Sequence, residues 1–211
     1  MMAINYNVQA DVIDIQRDQP RDTDTFLVDS NVWYWVAYPR SNQSSRPPAQ
    51  YQMSNYPAYV NAALNTRARL LRCGLSLAEL SHLIEKTERE IFSRGVGGIQ
   101  PNETKVFRHN YPTRRASVVG EVEAAWASIK SLAEPMTATI DEPTTDAALT
   151  RFKTQLVDGY DLFILEAMAA NGVVQVITDD GDFVTVPGIQ VFTSNRHVIQ
   201  AATTQGRPVV R

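Results

Sequence analysis

The sequence predicts an α/β protein of three layers, α/β/α, around a central parallel sheet. Short apolar runs that read as strands alternate along the chain with longer stretches of helical periodicity. Two of the runs, Val173 to Ile177 and Gln190 to Phe192, are near-continuously apolar, as strands covered on both faces are. Four acids, Asp29, Glu79, Asp161 and Asp180, follow a strand-like run or open a helix. In an open parallel sheet those places border one crevice at the carboxyl ends of the strands.

The elements follow in order. Residues 1–24 are polar and poorly periodic and read as an arm, with a short strand at Asn7 to Ile15. Thr25 to Val28 is a buried strand that ends at Asp29. Ser30 or Asn31 can cap a helix through Val32, Trp33, Trp35 and Val36, which stops before Pro39. Ser41 to Tyr51 is rich in Ser, Gln and Pro and reads as a loop; a helix at Ala58 to Thr66 and a strand at Leu70 to Cys73 follow. Ser76-Leu77-Ala78-Glu79 is a capping-box pattern that opens a helix continuing to Phe92. Ser93 to Arg115 is basic, contains Gly95, Gly97 and Gly98, shows no period and reads as an insertion or long loop. A helix at Val118 to Leu132, a strand at Met136 to Ile140 and a helix at Thr145 to Leu156 come next. The most apolar helix, Leu162 to Ala170, is preceded by Asp158-Gly159-Tyr160-Asp161 and stopped by Asn171-Gly172.

With 211 residues, 44% hydrophobic and 20% charged, the chain can bury a sizeable core. The formal charge of −3 conceals a separation of acids from bases. A lone cysteine, Cys73, excludes an internal disulfide and reads as a small buried hydrophobe among Leu70, Leu71 and Leu75. The first 21 residues hold no apolar run and carry Asp11, Asp14 and Asp18, so no secretion signal is expected. No apolar stretch is long enough to span a bilayer, and a cytoplasmic location is expected. His82, His109 and His197 lack the spacing of metal ligands.

Each acid has an ordinary structural role open to it. Asp29 can end a strand and cap a helix, and Glu79 completes the capping box. Asp161 suits a helix N-terminus, and Asp180 and Asp182 lie in a turn-forming Asp-Asp-Gly-Asp. Taken together, four carboxylates on one crevice repel unless a cation sits among them, which points to metal-assisted phosphodiester chemistry.

The motifs Val28-Asp29-Ser30-Asn31-Val32, helix-borne Glu79, Asp161-Leu162-Phe163-Ile164 to Asn171-Gly172, and Val176-Ile177-Thr178-Asp179-Asp180-Gly181-Asp182-Phe183 resemble those of the PIN-domain nucleases. Within that family they are most similar to the VapC-type toxins of toxin–antitoxin pairs. The resemblance covers roughly Thr25 to Phe92 and Met136 to Thr193, and its last two motifs are the most specific. It implies a PIN-like domain at 25–200 with an insertion at about 93–135, between an N-terminal arm (1–24) and a C-terminal tail (201–211). It also implies a Mg²⁺- or Mn²⁺-dependent ribonuclease. Asp29, Glu79, Asp161 and Asp180 would be catalytic and metal-binding, Asp182 a further ligand, and Asn31 and Thr178 supporting residues. A small antitoxin protein and a homodimer are the partners it implies.

Lys86, Arg89, Lys105, Arg108, Arg114 and Arg115, interleaved with Phe107, His109 and Tyr111, suit an RNA backbone and unpaired bases, or else form a solvated loop. Arg67, Arg69 and Arg72 make a second basic cluster, and the Trp33–Trp35 pair reads as core or dimer surface. Two other functions stay open. A non-catalytic PIN-like scaffold would bind RNA or protein through a degenerate site. A haloacid-dehalogenase-like phosphatase would use Asp29, but it needs a second acid at position 31, where Asn31 cannot transfer protons.

Overall fold

A computed structural model describes residues 4–95 and 99–211. Six strands, β1 (Asp11–Asp14), β2 (Thr25–Val28), β3 (Arg69–Cys73), β4 (Glu134–Met136), β5 (Gln175–Ile177) and β6 (Gln190–Thr193), form one sheet in the order β1-β6-β5-β2-β3-β4. Every neighbouring pair is parallel. Eight α-helices accompany it among the described residues: α1 (Ser30–Ala37), α2 (Gln50–Asn65), α3 (Ser76–Gly95), α4 (Thr104–Asn110), α5 (Pro112–Leu132), α6 (Glu142–Thr154), α7 (Asp161–Ala170) and α8 (Arg196–Thr204). The protein is a three-layer α/β/α structure with a fully parallel sheet.

The layers follow from the two-residue period of the strands. Phe26 and Val28 of β2 face one core, with Trp33, Tyr56, Leu80 and Ile129 from α1, α2, α3 and α5. Leu27 faces the opposite core, with Leu165 and Met168 of α7 and Val198 and Ala202 of α8. The same alternation separates Leu70 from Leu71 and Ile177 from Val176. Cys73 is fully buried, as expected of a small hydrophobe.

Sheet order fixes where a site can form. From β2 the chain adds β3 and β4 on one side, while β5, β6 and β1 lie on the other. The order therefore reverses between β2 and β5, and the crevice past their carboxyl ends is the place where such sheets bind ligands.

Several boundaries differ from the sequence reading. Residues set apart as arm and tail both reach the sheet: β1 pairs with β6, and Val209 N donates to the carbonyl of Val12 at 2.8 Å. The stretch expected as loop from Ser93 to Arg115 holds α4 and the start of α5, while residues 96–98 lie outside the described residues. Pro112 suits the first turn of α5, and Ile99, Phe107 and Val118 close a small apolar cluster with Phe92 and Tyr111. Helix α2 begins eight residues ahead of the expected Ala58 and carries Pro57 inside it. The proline removes one backbone donor, but burial of Tyr56, Tyr59 and Val60 holds the helix on both sides of it. Of the strand expected at Met136 to Ile140 only Met136 is paired, because its partner β3 ends opposite it at Cys73.

Candidate metal centre

Strand β2 delivers Asp29 to the switch point. Its backbone N–H still donates to Ile177 of β5 at 3.0 Å, so the residue belongs half to the sheet. It is also the N-cap of α1, the structural role the sequence leaves open to it alongside Ser30 or Asn31. Oδ1 accepts from Ser30 N at 2.6 Å and Oδ2 accepts from Thr178 Oγ1 at 2.8 Å. Thr178, directly after β5 and fully buried, also accepts from Asp180 N at 2.9 Å through the same oxygen. One hydroxyl thus ties the ends of the two central strands together.

Glu79 stands in the first turn of α3 and accepts a hydrogen bond from Ser30 Oγ. Among the described residues it makes no hydrogen bond to the backbone of Ser76, so the capping-box reading does not account for its carboxylate. Asp161 is the first residue of α7, behind Gly159, whose φ of 52° lets the chain turn into the helix. One carboxylate oxygen from each of Asp29, Glu79 and Asp161 lies within 4.8 Å of the others. Three separate elements therefore bring three carboxylates to one point.

The trio lines a cavity of about 560 Å³ together with Asp180, Asp158, Asn31 and Tyr160. Asp182 does not line it; it is exposed in the 3-10 turn Asp182–Thr185, where its N–H donates to Asp180 Oδ1 at 2.8 Å. Asp158, which the sequence reading treats only as a helix-start residue, supplies a further negative charge. His82 is exposed at the cavity wall.

The charges make one another hard to ionise. Burial pushes Asp161 up to about 9, with Asp29, Glu79, Asp180 and Asp158 adding repulsion. Burial also raises Asp29, to about 7; repulsion from Asp180 and Glu79 adds to this, and the hydrogen bonds from Thr178 and Ser30 oppose it. Glu79 and Asp180 are raised in the same way, burial first. Groups of this kind fit a hard divalent cation: oxygen donors, several negative charges, and a pocket open enough to keep water.

Asp179 supports the wall. It accepts from Tyr56 (2.7 Å), Tyr51 (3.1 Å) and Gln52 (2.5 Å) of α2, while Asn195 Nδ2 donates to its carbonyl at 2.9 Å. Trp33 is fully buried in the core and Trp35 packs beside Tyr56 with ring centroids 5.2 Å apart.

The expected RNA-binding bases separate. Arg108 and Arg115 line the acidic cavity. Lys86 lies in an adjoining groove with Trp35 and Arg46. Arg114 lies over Phe92 at 5.2 Å in another groove, and Lys105 is exposed on α4. Arg89 is buried, with its Nε donating to the carbonyl of Pro101 at 2.7 Å, and so is not available to a bound strand.

The fold and the site define a parallel α/β protein with a carboxylate centre at its switch point. No protein-family model matches the chain, and no curated protein matches it. Among the described residues no helix is long and apolar enough to cross a membrane.

Proposed function

We propose that the protein is a Mg²⁺- or Mn²⁺-dependent endoribonuclease with a PIN-like fold, acting as the toxin of a toxin–antitoxin pair. The observation that carries this reading is the convergence of Asp29, Glu79 and Asp161, with one oxygen each within 4.8 Å, at the sheet's switch point. Asp29, Glu79 and Asp161 would hold the ion, with Asp180 on the same cavity wall as a fourth donor. When bound, a divalent ion supplies charge neutralisation on phosphoryl oxygens and lowers the pKa of water.

The chain's own residues prepare that chemistry. Thr178 and Ser30 N fix the Asp29 carboxylate, and Ser30 Oγ fixes Glu79. With these carboxylates held before a ligand arrives, little ordering remains to oppose binding. Asn31 lines the cavity beside them and offers amide donors to a substrate. Arg108 and Arg115 add to the cavity lining the positive charge a polyanion needs. A cytoplasmic location, a small antitoxin and a homodimer belong to the same proposal.

The test is cleavage of a mixed RNA pool with Mg²⁺ or Mn²⁺, with EDTA and Asp161→Asn protein as controls. Cleavage that disappears in both controls supports the reading. Tight Mn²⁺ binding by folded protein that cleaves no RNA would move the scaffold reading ahead of it.

A further inference from the structure

The cavity that holds the acids is also lined by a cluster of the opposite sign. Glu85 of α3 is 3% exposed and carries three guanidinium groups. Arg108 of α4 places Nε 2.8 and 2.9 Å from its two oxygens and a second nitrogen 2.7 Å from one of them. Arg115 of α5 donates to it at 2.8 Å, and Arg89 lies 3.6 Å away on the buried side. Arg89 also faces the buried Glu90, whereas Arg108 and Arg115 share Glu85 alone, which leaves one positive charge uncompensated. Arg89 is inside the protein, so the excess is presented by Arg108 and Arg115, whose side chains are 45% and 44% exposed.

A structural ion pair needs one arginine. Here two half-exposed ones share a buried acid on the wall of the cavity that holds the carboxylate trio. Each guanidinium has five N–H donors. Those not spent on Glu85 find no other protein acceptor among the described residues. A guanidinium fork matches phosphate oxygens in geometry, and one already held in place loses little freedom on binding.

We infer that Glu85, Arg108 and Arg115 form a preset phosphate seat, which grips a backbone phosphate of the RNA strand neighbouring the one at the acidic trio. The assignment rests on the ribonuclease reading for the identity of the strand. Its positive wall comes from α4 and α5, which gives the segment between α3 and β4 a task in substrate binding. Arg108 and Arg115 touch substrate in this account; Glu85 is a positioning residue acting through them.

The experiment is fluorescence anisotropy with a short, labelled, mixed-sequence single-stranded RNA. It is run in the Asp161→Asn chain without divalent ions, so the strand stays whole. Adding Arg108→Ala with Arg115→Ala is expected to weaken binding roughly tenfold or more and to lower the slope of log affinity against log salt by about 0.7, the value for one phosphate of a single strand. Both side chains are half exposed, and a melting curve checks that the variant folds. Glu85→Gln is expected to weaken RNA binding although it adds a unit of positive charge; tighter binding would overturn the positioning role. Unchanged affinity and slope in the arginine variant would overturn the seat. So would displacement of the RNA by a polyglutamate peptide at equal charge concentration. Cleavage assays in the otherwise wild-type background separate the two readings. Lost binding where no chain ever cleaves RNA keeps the seat and removes the nuclease. Normal cleavage with unchanged KM in the arginine variant does the reverse.

Discussion

Replacing Asp161 by Asn tests the electrostatics of the acidic centre without reference to any reaction. In metal-free protein Asp161 is pushed up to about 9 from an ordinary 3.8 by burial and by its acidic neighbours. The folded-state value lies above the unfolded one, so between those limits the folded chain keeps a proton that the unfolded chain has released. Stability is therefore fully present below about pH 4 and is lost progressively as pH rises toward about 9. At about 1.4 kcal/mol per unit, the ceiling on this loss at about pH 8 is about 6 kcal/mol. The cavity is open to water, which screens the carboxylates, and the expected effect is about 1–2 kcal/mol. Asn has nearly the same shape and no charge, so the variant escapes the loss. In EDTA at about pH 8 its melting temperature should exceed the wild type's by about 2–8 °C, at 2–4 °C per kcal/mol for a chain of this size. At about pH 4.5 the gap should nearly close, and Mn²⁺ at about pH 8 should reverse the order by stabilising the wild type more. Thermal melts at the two pH values, with and without Mn²⁺, read all of this directly. A variant less stable than wild type in EDTA at the higher pH, or a gap independent of pH, would refute the reasoning.

Three further outcomes are expected. Thr178→Val removes the hydroxyl that binds both Asp29 and Asp180 N, and should cost about 1–3 kcal/mol in urea denaturation and weaken Mn²⁺ binding about 10- to 100-fold by calorimetry. Arg211→Ala strands Asp18 and Asp24, each paired to Arg211 at 2.7 Å with side chains 2% and 5% exposed, and should cost about 3–5 kcal/mol. Burial raises the Asp24 carboxyl, but hydrogen bonds from Arg211, Arg21 N and Gln175 hold it below the usual range, so its support is lost only as pH falls through that lowered value; the wild-type minus Arg211→Ala difference should shrink in strong acid. Gly181→Ala places a methyl group on the ring of Tyr6 and should cost about 1–3 kcal/mol, whereas in a Tyr6→Ala background it should be near neutral; equal costs in both backgrounds would remove the contact as the cause.

Legibility in the sequence varied with how local each signal is. β2, α7 and the stop at Gly172 were readable because an apolar run, an acidic opening and an Asn-Gly end are contained within a few residues. The first turn of α5 and all of α4 were not, because their burial is sparse: Phe107 is the one buried residue of α4, and α5 buries Val118, Ala125 and Ile129. The acids of the trio could be named individually, since each sits at an element boundary. Glu85 could not be singled out, since the nearby Arg89 makes only an ordinary i,i+4 helix pair with it and the two arginines that bring it to the cavity stand 23 and 30 residues away. Asp158 was visible in the sequence but read as helix punctuation; only the shared cavity shows which way it contributes.

The parallel strand order has a consequence for the timing of folding. Strand β2 finds β3 early, but its other neighbour, β5, and the hydroxyl of Thr178 come 149 residues after Asp29. Closing so large a loop is slow relative to local helix formation. During synthesis from the N-terminus, Asp29 and Glu79 emerge long before Asp161 and Thr178, and β1 waits for β6. The acidic centre is thus among the last features a growing chain completes, and a nascent or truncated chain ending before β5 carries two of the three carboxylates, or all three, but never the strand that brings them into line.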